Sequence, residues 1–325
     1  MLTRRTALAL PLLAAAVPAR AAAAPVRLGQ ATTSLSFLPV WAARALDTFP
    51  ARDVALTWAA IPGGDPAALA ALDSGDLDLA AVGGETALQA IAKGQPFSIV
   101  YSLMSRMSLD LVAGPAFKAQ PADPLAQRLA ALRGATVGVS AVGGTQDRAV
   151  RWLAAQGGLA RADVQVAMVG GPPALQAALE NKRIDAFILS PPEAQVAAAA
   201  GYGRTLVSLA QDFPQLRSLP FLVLAARRPF AEPERIRGAV RALQAAAARL
   251  HADPDAVADA IAAKFFPRLP PEAIRAGTRA MLDGVTDDAV TPEGLAALVR
   301  FGAESGAAPG TLPDDASTNK FVSGP

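Results

Sequence analysis

Six short segments carry the residue types best suited to holding a small charged molecule. They are Ser34-Leu35-Ser36, Gly63-Gly64, Gly83-Gly84-Glu85-Thr86, Ser140 to Thr145, Gly170-Gly171 and Ser190-Pro191. Most stand immediately before a stretch that reads as helix. The first N–H groups of a helix have no intrahelical acceptor, and the helix dipole adds partial positive charge there. Glycine lets a ligand oxygen approach that backbone, and serine or threonine adds neutral donors. The chemistry favoured is therefore capture of an anion. Arg106 and Arg148 are the nearest sources of full positive charge, although surface roles suit both. Each segment also has a plain structural use, since glycine pairs make turns and serine or threonine caps helices. Asp65 and Glu85 are the best-placed carboxylates, as acid or base, as a grip for an amine, or as helix N-terminal stabilisers. Phe37, Trp41 and Tyr101 are candidates for an apolar wall or for core packing.

The residues that are scarce narrow the field further. The chain has no cysteine and one histidine, His251. Thiol nucleophiles, iron–sulfur clusters and cysteine-type zinc sites are excluded, and no histidine cluster exists to bind a metal. His251 lies in Arg-Leu-His-Ala-Asp-Pro, where a histidine complements a helix C-terminus. No Gly-Lys-Ser/Thr follows the glycine pairs, so they are not phosphate loops, and Gly83-Gly84 is not a dinucleotide fingerprint. No catalytic residue, cofactor or metal is expected.

The elements that position these segments repeat. The region from Gly63 aligns with the region from Gly170 at a constant offset, matching Gly63 to Gly170, Gly64 to Gly171, Pro66 to Pro173, Leu72 to Leu179 and Asp78 to Asp185. Each copy reads as a glycine turn, a helix, a polar break and a buried strand, Leu77 to Val82 in one and Ile184 to Leu189 in the other. Upstream of each lies another strand and helix, beginning at Val26 and at Val137. This alternation predicts two α/β lobes with mainly parallel sheets flanked by helices. Ligands on such sheets bind beyond the carboxyl ends of the strands, where the six segments fall. Phe97 to Leu103 and Leu109 to Val112 read as further strands of lobe one, and Leu222 to Ala225 as the strand returning from lobe two. The expected division is lobe one at 22–113 with 221–325 and lobe two at 114–220, joined by a two-strand hinge. The C-terminal third reads as helices bracing lobe one and the hinge.

Residues 1–21 have the layout of a cleaved export signal: Arg4-Arg5, an apolar run from Ala7 to Val17, then Ala19-Arg20-Ala21. Thr3-Arg4-Arg5 leaves the twin-arginine and general secretory routes both open. Cleavage near Ala21 would remove three of the 30 basic residues, leaving 27 against 28 acidic ones. The mature chain is then near-neutral, with no basic stripe for nucleic acid.

The order Val26-Arg27-Leu28-Gly29, Phe37-Leu38-Pro39-Val40-Trp41-Ala42-Ala43, Pro62-Gly63-Gly64-Asp65-Pro66, Ser74-Gly75-Asp76-Leu77-Asp78, Thr136-Val137-Gly138-Val139-Ser140, Gly143-Gly144-Thr145 and Ser190-Pro191-Pro192 resembles the nitrate/sulfonate/taurine type of periplasmic substrate-binding proteins of ABC importers. The resemblance spans nearly the whole mature chain. It implies the two-lobed periplasmic-binding-protein fold of class II topology, with a small anionic ligand held between the lobes. It also implies delivery to a membrane permease and its ATPase, a periplasmic location and a monomeric protein. Ser34, Ser36, Gly64, Gly84, Glu85, Thr86, Ser140, Gly144, Thr145 and Ser190 are then the cleft-lining, ligand-binding positions. The wider superfamily also holds enzymes acting on small acids or pyrimidines, and an adaptor that presents ligand to a receptor is a further alternative. Genomic neighbourhood would separate the adaptor from the importer. The cysteine-dependent enzymatic branch does not fit a chain without cysteine.

Overall fold

The computed structural model describes residues 25–286, 289–306 and 311–322. The export-signal reading of residues 1–21 lies outside the described residues. In chain order the elements are β1 (Val26–Gln30), α1 (Leu38–Ala45), β2 (Leu56–Ala60), α2 (Gly64–Ser74), β3 (Leu79–Gly83), α3 (Gly84–Ala92), β4 (Phe97–Met104) and β5 (Asp110–Ala113). Then follow α4 (Leu125–Ala130), β6 (Thr136–Val139), α5 (Thr145–Gln156), β7 (Gln165–Met168), α6 (Pro172–Glu180), β8 (Ala186–Leu189), α7 (Glu193–Ala199), β9 (Arg204–Ser208) and α8 (Leu209–Asp212). The chain ends with β10 (Leu222–Arg227), α9 (Pro233–Ala252), α10 (Pro254–Phe265), α11 (Pro271–Met281) and α12 (Pro292–Glu304).

The strands form two five-stranded sheets, ordered β2-β1-β3-β10-β4 and β7-β6-β8-β5-β9. The internal repeat therefore survives as one topology used twice. Its matched aspartates explain why an acid recurs at that position. The Asp78 carboxylate accepts from the Arg27 N–H at 2.8 Å, and that of Asp185 accepts from the Thr136 N–H at 2.8 Å. Each aspartate thus ties the start of one strand to its parallel neighbour in the sheet, β3 to β1 and β8 to β6.

Each sheet has one reversed strand. β10 pairs antiparallel with both β3 and β4, and β5 pairs antiparallel with both β8 and β9. The other pairings are parallel. The reversed strand is in each case the first one formed after the chain has crossed from the other sheet. A chain leaving the carboxyl end of β4 enters the second sheet from its own carboxyl-end side, so β5 has to run against its neighbours. The same holds for β10 on the return.

This corrects one expectation. The segment Leu109 to Val112, read as a strand of lobe one, supplies β5 of the second sheet. The first crossing is therefore the stretch between Met104 and Asp110, not the region of Gly114. A short apolar strand carries no sequence mark of which sheet it joins.

β3 and β4 are buried along their whole length. α9 and α10 pack on α1. α12 reaches further, contacting α3 beside the first sheet and α5 beside the second. There the Trp152 indole N–H donates to Glu304 at 2.7 Å, and its ring packs on Phe301 at 5.7 Å between centroids. The C-terminal helices thus brace lobe one and also strap it to lobe two.

Candidate functional site

The carboxyl ends of the two sets of parallel strands face each other across a narrow cleft. From the first lobe, the loop after β1 and the start of α2 bring Thr32, Ser34, Ser36, Phe37, Gly64 and Asp65 to it. From the second, the loop after β6 and the start of α5 bring Ser140, Ala141, Gly144, Thr145 and Gln146, and the end of β8 brings Ser190. Leu109, Phe221 and Leu222 close the floor where the chain crosses between sheets. The free volume within the cleft is about 40 Å³, room for a few waters.

Among the expected site residues, Ser34, Ser36, Gly64, Ser140, Gly144, Thr145 and Ser190 line this cleft. The Ser34 loop is held rigidly. Ser34 Oγ accepts from the Ser36 hydroxyl at 3.1 Å, and the Trp41 indole N–H donates to the Ser34 carbonyl at 2.8 Å. Ser190 is 1% exposed, and its hydroxyl has no hydrogen-bond partner. The Ser140 hydroxyl likewise lacks one. Buried hydroxyls are normally satisfied, and these two are open to a group that enters the cleft.

Asp65 does something its sequence position does not suggest. Although it stands in the first turn of α2, its carboxylate serves the other lobe. Oδ2 accepts from the Thr145 N–H at 2.9 Å and the Thr145 hydroxyl at 2.8 Å, at the amino end of α5. Oδ1 accepts from the Gly83 N–H at 3.0 Å, and the Thr86 hydroxyl donates to Oδ2 at 3.4 Å. Gly83 is what admits Thr145 so close, because a Cβ there would lie 1.4 Å from the threonine oxygen. The result is a buried latch between the lobes.

The loop that leads into α5 is also engaged internally. The Gly143 N–H donates to Asp147 at 2.8 Å and the Ser140 N–H to Gln146 at 2.6 Å. Among the described residues no lysine, arginine or histidine lines the cleft. Arg106 pairs instead with Asp283 at 3.4 Å, and Arg148 with Glu85 at 3.5 Å. His251, on the last turn of α9, contacts the Val285 carbonyl at 3.1 Å.

Three expected positions fall outside the cleft. Gly84 faces the backbone of the returning crossover, where an added Cβ would sit 2.0 Å from the Pro220 carbonyl oxygen. Thr86 lies behind Asp65 as part of the latch. Glu85 turns away altogether, into a small space lined also by Leu298, Val299 and Gly302 of α12. Successive residues of a helix project about 100° apart, so a first-turn position does not reveal which way a side chain points. Glu85 is 2% exposed and neither oxygen has a hydrogen bond. Burial pushes its carboxyl up to about 7, against the pull of Arg148 and with further help from Asp65.

Phe37, a candidate for an apolar wall or for core packing, is buried and lines the cleft. Trp41 packs instead with Trp58, Phe265 and Phe266, and the Tyr101 hydroxyl donates to the Thr286 carbonyl at 2.9 Å. Gln146, Leu109, Phe221 and Leu222 had no sequence signal as lining residues. Glu193, on the first turn of α7 three residues beyond Ser190, does not line the cleft. It is buried, and burial pushes its carboxyl up to about 8, with nearby Asp110 adding to the rise.

Residues 20–264 match the family profile described as the NMT1-like family. Solved structures with the same fold include a protein of Bordetella bronchiseptica RB50, 22% identical, with a TM-score of 0.79 over 92% of this chain and 95% of that one. The alkanesulfonate-binding protein SsuA from Xanthomonas axonopodis pv. citri, bound to MOPS, is 19% identical, with a TM-score of 0.75 over 92% and 100% of the two chains. The periplasmic nitrate-binding protein NrtA from Synechocystis PCC 6803 is 17% identical, with a TM-score of 0.66 over 86% and 80%. No curated protein sequence gives a match.

Proposed function

This chain belongs to the NMT1-like family, and from that premise we propose that it is an exported solute-binding protein that captures a small anionic solute and delivers it to an ABC permease and its ATPase. The observation that carries this reading is the convergence of Ser34, Ser36, Ser140 and Ser190 on one interlobe cleft, two of them with unsatisfied buried hydroxyls. The names of two structural relatives, an alkanesulfonate-binding and a nitrate-binding protein, support the same solute class. Residues 1–21 serve as the export signal in this reading, the mature protein works in the periplasm as a monomer, and the candidate cleft residues hold the solute.

The lobes act as two bodies hinged at the crossings between β4 and β5 and between β9 and β10. Ligand contacts with both lobes shift the population toward the closed form. The protein works by binding and release. Catalysis on the same fold would need a base in the cleft, and the carboxylates do not offer one: Asp65 is committed to the latch and Glu85 faces α12.

Thermal unfolding against ethanesulfonate, taurine, nitrate, bicarbonate, benzoate and a pyrimidine tests the proposal. A solute at about 100 times its Kd stabilises the native state by about 2.7 kcal/mol. For a unit of this size that is a shift of several degrees. A selective shift by an acid, without consumption of the solute, is the expected result. A flat response to every acid, with a shift by the neutral pyrimidine, would overturn the anionic assignment.

A further inference from the structure

We propose that Asp65 is a specificity-determining residue that restricts the cleft to solutes bearing a single compact negative group and rejects dianions. The inference rests on the reading that the cleft takes an anion. α5 is a 12-residue helix whose amino end opens on the cleft, and such an end attracts negative charge. Here that place is already taken by a carboxylate of the chain itself. Asp65 Oδ2 holds the first amide of α5 and the hydroxyl on the same residue, at 2.9 and 2.8 Å. Asp147 and Gln146 hold the amides of Gly143 and Ser140 in the preceding loop. What remains for a solute are neutral donors, chief among them the Ser190 hydroxyl, which is nine-tenths buried or more, unpartnered and directed at the cleft. Ser140 offers a second such hydroxyl.

A solute with one anionic group seats on these hydroxyls with its apolar part toward Phe37 and Phe221. A second anionic group has only the α5 end left to approach, and there it meets the Asp65 carboxylate. With about 40 Å³ of free space, the two negative charges would lie within a few ångströms of each other. No cationic side chain among the described lining residues offsets them. Like charges that close, partly shielded from water, change an affinity by roughly tenfold or more.

The test compares ethanesulfonate with 1,2-ethanedisulfonate, which adds a second sulfonate and so both a charge and bulk; the change of their ratio in the near-isosteric Asp65→Asn isolates the charge. Their affinities are measured by calorimetry for the wild-type protein, Asp65→Asn and Asp65→Ser. Two variants of different size and hydrogen-bonding capacity are used so that failure of one to fold leaves the test intact. The wild type is expected to prefer ethanesulfonate by roughly tenfold or more, and that preference is expected to shrink roughly tenfold in either folded variant. A merely structural latch would weaken both probes together and leave their ratio unchanged. An unchanged ratio, with ethanesulfonate still bound, overturns this inference alone. Failure of both probes to bind the wild type overturns the anionic reading, and the inference falls with it.

Discussion

Replacing Glu85 with glutamine should stabilise the protein at alkaline pH and leave it nearly unchanged in acid. Glu85 is sealed between α3, α5 and α12 at 2% exposure, with Arg148 Nε 3.5 Å away and no hydrogen bond to either carboxyl oxygen. Burial, opposed by Arg148 and reinforced by Asp65, raises its carboxyl from 4.5 to about 7. The folded protein therefore keeps this proton at a pH where the unfolded chain has released it. The associated stability is complete below about 4.5 and disappears as pH rises through about 7. At about 1.4 kcal/mol per pKa unit, the group costs the wild type roughly 3 kcal/mol by pH 8. Glutamine has nearly the same volume and no charge to desolvate. Urea unfolding of both proteins at pH 5 and pH 8 is the assay. The stability difference, variant minus wild type, should grow by roughly 2.5 kcal/mol between the two conditions, since part of the effect is already present at pH 5. Taking the difference removes the parallel contributions of Glu193 and Asp110, which titrate in both proteins. A difference that is the same at both pH values would refute the reasoning, because it would mean that Arg148 keeps Glu85 ionised in the fold.

Four further outcomes follow from the same geometry. Ser190→Ala should leave the unfolding midpoint unchanged or slightly raised, since it deletes an unpartnered buried hydroxyl, while weakening ethanesulfonate binding by roughly tenfold in calorimetry. Gly84→Ala should lower stability by about 3 kcal/mol, because the new Cβ meets a backbone oxygen at 2.0 Å. Gly143→Ala, at φ +79° with open space around it, should cost only about 1 kcal/mol by urea titration. Glu304→Leu should cost about 1–3 kcal/mol in the same titration by leaving the buried Trp152 indole N–H without its acceptor, and should make ligand-free scattering profiles more extended as the α12 strap loosens.

The sequence by itself determined the parts of this protein that depend on local pattern. Strand and helix alternation, the doubled unit with its paired Asp78 and Asp185, and the small hydroxylic turns ahead of α1, α2 and α5 are all written in residue order. Parallel strands must then bring those turns to one rim, so Ser34, Ser36, Gly64, Ser140, Gly144, Thr145 and Ser190 were legible before any coordinates. Tertiary structure decided what depends on direction and on distant partners. The sheet that β5 joins follows from where the chain crosses, not from the residues of Leu109 to Val112. Glu85 and Asp65 look alike as first-turn acids, yet one faces α12 and the other caps a helix of the opposite lobe. Rotation about a helix axis and the docking of two lobes set those outcomes. Both come from packing between residues far apart in sequence, such as Gly83 against Thr145 and Glu85 against Gly302, whose proximity no local spacing encodes.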